Sequence, residues 1–128
     1  MKTNFLIVFI IIFSCSDKNG LESISSAEFS LMSSEPYLYS SGDNLFISWT
    51  EQKSDSNYLY KSEFLNDKWD SKELISNGTD WFINWADFPS ISHNKESDVM
   101  ISHHLQKSYD LTFSYDDNYH FFKDGKWT

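Results

Sequence analysis

The sequence predicts an all-β protein, and three observations carry that prediction. Aromatic residues make up 18% of the 128 residues. Several runs alternate with a period of two. The breaks between them are turn chemistry: "SSGDN", "LNDK", "SNGT" and "KDGK". Aromatic and β-branched side chains fit a pleated, half-buried surface. No stretch after residue 35 carries an apolar stripe at helical spacing.

The first stretch is a leader rather than a fold element. "MKTNFLIVFIIIFSCS" has Lys2, an apolar run from Phe5 to Phe13, then Ser14 and Cys15. A basic start, a short apolar run and a small residue before the cut describe a secretory signal over residues 1–14. The run is far shorter than the ~20 residues that span a bilayer. A buried strand is the competing reading. Cys15 is the only cysteine, so no intramolecular disulfide forms. "IFSC", Ile12 to Cys15, resembles the bacterial lipoprotein box, with Ile where Leu is commonest. The resemblance implies cleavage before Cys15, acyl chains on Cys15, and a mature chain tethered to the bacterial cell envelope, at the outer membrane if the cell is Gram-negative. The expected partner is thus membrane lipid through Cys15; a free thiol is the alternative.

Residues 15–34 read as a polar tether, compatible with a first strand near Phe29–Met32, and the packed domain is expected over 35–128. Strands are expected in "NLFISWT" (Asn44–Thr50), "NYLYKSEF" (Asn57–Phe64), "DVMISHHL" (Asp98–Leu105) and "YDLTFSY" (Tyr109–Tyr115).

The chain repeats itself. With Pro36 set on Pro89, "PYLYSSGDNLFISW" lies over "PSISHNKESDVMISH", and Ile47 meets Ile101 at a spacing of 54. "LNDKW", ending at Trp69, matches "KDGKW", ending at Trp127, at a spacing of 58. Two landmarks in one order at nearly one period, with about four strands each, point to propeller blades over about 35–88 and 89–128. Two unrelated hairpins of similar composition are the competing account.

Three segments resemble the sialidase-like (BNR, or Asp-box) six-bladed propellers of bacterial lipoproteins. "WFINWADFPSIS", Trp81 to Ser92, is similar to a string that precedes an inner strand in such proteins. "KSEFLNDKW" and "YDLTFSY...FFKDGKW" resemble degraded Asp-boxes. Asp124, Gly125 and Trp127 keep the residue types at shortened spacing; Asn66, Asp67 and Trp69 lack the Gly. The resemblance implies that Trp69 and Trp127 pack between sheets, and that the role concerns glycans, by binding or hydrolysis. Closure takes about four to eight blades, so the expectation is that these residues are the front of a longer protein. A non-enzymatic propeller that serves as a docking surface, a complete small β-domain lipoprotein and an assembly of several copies are the alternatives.

Charge and composition exclude some functions. The net charge is −9, one unit more negative without Lys2, and there is no arginine. Nucleic acid is therefore not an expected partner, because phosphate binding needs clustered Lys and Arg. A sialidase holds its substrate carboxylate in an arginine fork that Lys does not replace. Sialoside hydrolysis by these residues alone is therefore not expected, and whether the protein is an enzyme stays open. Asp87, just before Pro89, is the candidate catalytic carboxylate, with turn capping as its other reading. Trp81 and Trp85 flank it as candidate sugar platforms, with core packing as theirs. No metal or cofactor is expected: His103 and His104 are adjacent and point to opposite faces of a strand, and His93 and His120 have no chelating spacing to them. "YDDNY", around Asp116–Asn118, lacks the ligand series of a calcium loop and reads as a hairpin turn. "NGT", Asn77–Thr79, has the glycosylation pattern and reads as a turn.

Overall fold

The computed structural model describes residues 25–108 and 114–128. All its regular elements are strands. In order they are β1 (Ser33–Ser41), β2 (Asn44–Lys53), β3 (Ser56–Leu65), β4 (Lys68–Trp69), β5 (Glu73–Gly78), β6 (Trp81–Phe82), β7 (Ser90–Asn94), β8 (Val99–Lys107), β9 (Tyr115–Lys123) and β10 (Lys126–Trp127). They form two five-stranded sheets. In the first, β1, β2 and β3 run as an antiparallel meander, and β4 and β5 both pair with β3. In the second, β6 and β7 both pair with β8, followed by β9 and β10.

The signal segment and Cys15 lie outside the described residues, as do 109–113. Three expectations shift. The third strand of the second repeat is β9, Tyr115–Lys123, and the strand expected from Tyr109 lies outside the described residues up to 113. "YDDNY" is therefore strand, not turn. Its Asp116 and Asp117 are exposed, and solvated charge is tolerated on a strand whose outer side, among the described residues, pairs only with β10 at its end. Asn77 and Gly78 of the sequon close β5. Packing also reaches into the stretch read as tether: β1 starts at Ser33, and Ala27 is buried.

The ladders superpose the two sheets residue by residue. Leu45 pairs with Phe64 as Met100 pairs with Phe122. Leu38 pairs with Ile47 as Ile91 pairs with Ser102. Phe64 and Trp69 face each other across Asn66-Asp67, as Phe122 and Trp127 do across Asp124-Gly125. Both of these turns hold positive φ at both positions, the mark of a tight two-residue hairpin. The ring centroids are 5.2 Å apart in the first pair and 5.3 Å in the second.

Pro36 thus falls on Pro89, as the sequence alignment has it, but Ile47 falls on Ser102 and not on Ile101. The β1–β2 turn has two residues, Gly42 and Asp43, whereas four residues join Asn94 to Val99. A slip of one residue moves a side chain to the opposite face of a strand, so this correction decides which face is which.

The sheets pack front to back. On the first, the inward face carries Tyr37, Tyr39, Phe46 and Leu59. On the second, it carries Ile91, Met100, Phe122 and Trp127. The repeat counterparts of Ile91, Met100, Phe122 and Trp127 are Leu38, Leu45, Phe64 and Trp69, which lie on the other face of the first sheet. That back face holds a separate cluster of Trp49 and Tyr60, covered by Ala27. Phe29 sits edge-on to Trp49 at 4.9 Å. Polar contacts tie the two sheets together: the Tyr39 hydroxyl donates to the His93 carbonyl (3.0 Å), and Trp127 Nε1 to Glu73 Oε1 (2.8 Å).

Candidate functional site

The first strand of the second repeat is interrupted. Phe82 pairs with Leu105, then pairing resumes at Ser90 with His103. In the first repeat the same interval runs from Ser34 to Tyr37, with only Glu35 (φ 50°) and Pro36 between. The second repeat therefore carries a longer insertion, residues 83–89, at the point where the first has an irregularity. An insertion that the scaffold does without in its other copy is free to carry function.

Asn84 organises this loop. Its Oδ1 accepts from the backbone N–H of Ala86 (2.7 Å) and of Asp87 (2.9 Å). Its Nδ2 donates to Asp87 Oδ2 at 3.1 Å, and its own N–H donates to the Asp87 carbonyl at 3.0 Å. This is an Asx turn closed on itself. Both ends are anchored: Phe88 lies against Tyr37 at 6.0 Å, Pro89 is buried, and Phe82 packs on Tyr115 at 4.1 Å.

The three residues expected here part company. Trp81 is 5% exposed, stacked on His104 at 4.1 Å, with Gly78 beneath its indole where a Cβ would stand 2.8 Å from Nε1. It is a core residue with no face for a sugar. Trp85 is 88% exposed, at the tip of the insertion. Asp87 is exposed next to it, and its carboxylate both caps the turn and faces water. Asn84 escaped the sequence reading; the Asn-x-x-Asp spacing was its signal. A flat aromatic face beside a carboxylate and a carboxamide suits a sugar. The ring C–H groups lie on the indole, and the polar groups bond hydroxyls.

Two other polar clusters serve the fold. Glu51 is fully buried, and accepts from Lys72 Nζ (2.8 Å) and Trp49 Nε1 (3.2 Å), with Lys53 Nζ 3.4 Å from its second oxygen. Burial pushes its carboxyl up, but the bonds from Lys72, Trp49 and Lys53 outweigh it, and the net pKa lies below the ordinary value. The Lys53 ammonium bonds the Tyr60 hydroxyl at 3.0 Å, which with Glu51 raises its pKa. His104 is buried between Trp81 and His120. Desolvation, then the charges of His120 and His103, hold its pKa at about 4. His103, on the other face of β8, bonds exposed Asp117 at 3.1 Å. Among the described residues no group of three or more His, Cys, Asp or Glu converges as a metal site, and no helix is long and apolar enough to cross a membrane.

Comparison of the chain with protein families, with characterised proteins and with solved structures finds no match in any of the three.

Proposed function

We propose that this chain is a lipid-anchored protein of the bacterial cell envelope that binds carbohydrate through the 83–89 insertion. In this reading its two meanders are blades of a sialidase-like propeller. The observation that carries it is Trp85, a large aromatic held almost wholly in water on a loop that hydrogen bonds between Asn84 and Asp87 close. Exposing an indole forgoes the burial of a large apolar surface, worth roughly 1.5–3 kcal/mol for a big side chain, and a ligand restores it. The front-to-back stacking and the repeated Phe–Trp hairpins support the propeller part. The lipoprotein-box likeness of Ile12–Cys15 supports the anchor. The reading is of binding by these residues rather than sialoside hydrolysis by them, because they include no arginine to grip a substrate carboxylate.

The test is retention of the chain on a panel of immobilised polysaccharides. Trp85→Ala is expected to weaken retention at least tenfold, with the melting temperature unchanged. A wild-type chain that binds none of the panel, or a variant that binds as well, sinks the reading. The anchor is tested separately: Cys15→Ala is expected to leave the membrane fraction.

A further inference from the structure

Inside the 83–89 turn the hydrogen-bond donors are spent and an acceptor is left over. The backbone N–H groups of Asn84, Ala86 and Asp87 all bond within the turn, to the Asp87 carbonyl or to Asn84 Oδ1. Asn84 Oδ1 accepts two of them, which fills its capacity. Asp87 Oδ2 takes the Asn84 carboxamide at 3.1 Å. Asp87 Oδ1 has no partner among the described residues, and the side chain stands in water two positions from the exposed Trp85. No cation answers this carboxylate. The sequence has no Lys or Arg between Lys72 and Lys95. Among the described residues, Lys53, Lys61, Lys72 and Lys95 pair with Glu51, Glu73 and Asp43 instead. Lys107, the nearest along the ladder, stands two residues past the Phe82–Leu105 pair at the base of the loop. A solvated carboxylate alone is ordinary. A carboxylate without a cation, set beside a bare indole, combines the two features that attract an ammonium group.

We propose that the sugar this loop takes carries a primary ammonium group: an amino sugar with its amine free, rather than a neutral or anionic glycan. The inference rests on the carbohydrate reading above and narrows it. An ammonium has three donors and no acceptor, the complement of a turn whose free group accepts. The Asp87 carboxylate receives it in a charge-assisted bond, stronger than the bond a hydroxyl gives. The Trp85 indole adds to this, because its negative face attracts a cation as well as the ring C–H groups. Anionic sugars meet the opposite. Asp87 repels a carboxylate or sulfate at the site, and the net charge of −9 repels it on approach.

The experiment is calorimetric titration of the full chain in detergent with three tetrasaccharides of one β-1,4-linked backbone. They differ only at C2, which bears an ammonium, an acetamide or a hydroxyl, and the buffer keeps the sugar amines protonated. Wild type is expected to bind the amine tetramer about tenfold tighter than the other two, through an exposed ion pair and an exposed cation–π contact together. Asp87→Asn keeps an acceptor for Asn84 Nδ2 and is expected to lower that preference to about threefold or less, the cation–π part alone. Asp124→Asn removes the same charge at the opposite end of β9 from Tyr115, which packs on Phe82, and is expected to keep the preference. Equal binding of the three sugars overturns the proposal and leaves the carbohydrate reading standing. Binding of none of them also overturns it, and the polysaccharide panel then decides the broader reading. A preference that survives Asp87→Asn, or that Asp124→Asn lowers as much, overturns it too. So does tetralysine displacing the amine tetramer at equal concentration, since charge alone is then what binds. An unchanged circular dichroism spectrum establishes that each variant is folded, and Asp87→Ser replaces Asp87→Asn if that variant is not.

Discussion

Leu38 and Ile91 hold the same place in the two repeats, each three residue-pairs along the ladder from the pair that closes its turn, yet Leu38 is more than half exposed and Ile91 is buried at 2%. Position in a strand sets which face a side chain takes; only the neighbouring sheet sets whether that face meets water. In dilute monomer, Ile91→Ala is expected to cost about 2–5 kcal/mol through lost burial and the cavity left behind, and Leu38→Ala to stay within about 0.5 kcal/mol. Urea unfolding at low protein concentration measures both; equal costs would refute the front-to-back arrangement.

His104 makes stability depend on acidity. Its pKa is about 4 in the fold against 6.5 for the free side chain. As pH falls the unfolded chain takes up this proton first. The contribution is therefore complete above pH 6.5 and is lost as pH falls toward 4. Between pH 7 and 4.5 the loss is about 2–3 kcal/mol. His104→Phe keeps an aromatic on Trp81 and is expected to remove this part of the pH dependence. Urea midpoints of both proteins across that range provide the comparison, and parallel curves would rule the assignment out.

Glu51 joins Lys72 and Lys53 on the back of the first sheet. Its lowered pKa gives the opposite group the same sense: the stabilisation is present above the ordinary carboxylate range and is lost as pH falls through the depressed value. Glu51→Gln removes the charge while leaving the shape. The expected cost is about 1–3 kcal/mol, moderated because both ammonium groups reach water. Thermal melting at pH 7 is the measurement, and an unshifted midpoint would mean that the lysines find other partners.

The paired hairpins allow a backbone test free of packing. Gly125 has φ +79°, and a Cβ there meets nothing within 4 Å. Gly125→Ala is therefore expected to cost about 1 kcal/mol from conformation alone. At the matching place in the first repeat stands Asp67, with φ 63°. Asp67→Gly is expected to be neutral or to stabilise by up to about 1 kcal/mol. Denaturant midpoints check the pair, and a stabilising Gly125→Ala would contradict the turn conformation.

The all-β class, the positions of β2, β3 and β8, and the recurrence of the Trp hairpin were legible in the sequence, because alternation and turn chemistry are local. Less was legible at the second repeat's third strand. There the acidic "YDDNYHFFK", whose Asp116–Asn118 read as a turn, forms β9, and partner strands, not local preference, decide such cases. The site was half legible. "NWAD" announces a turn, but nothing in Trp81 or Trp85 says which is core.

By itself, then, the sequence determined where strands and turns fall, the negative charge, the lack of arginine and the existence of a repeat. Tertiary structure alone decided the register within that repeat, since the second turn is longer by two residues where the sequence alignment allows one, which moves the counterpart of Ile47 from Ile101 to Ser102. It also decided which tryptophan is buried and which face of each sheet packs on the other. The reason is physical: a strand's period of two defines two faces equally well, and only contact between residues far apart in the chain makes one of them an inside.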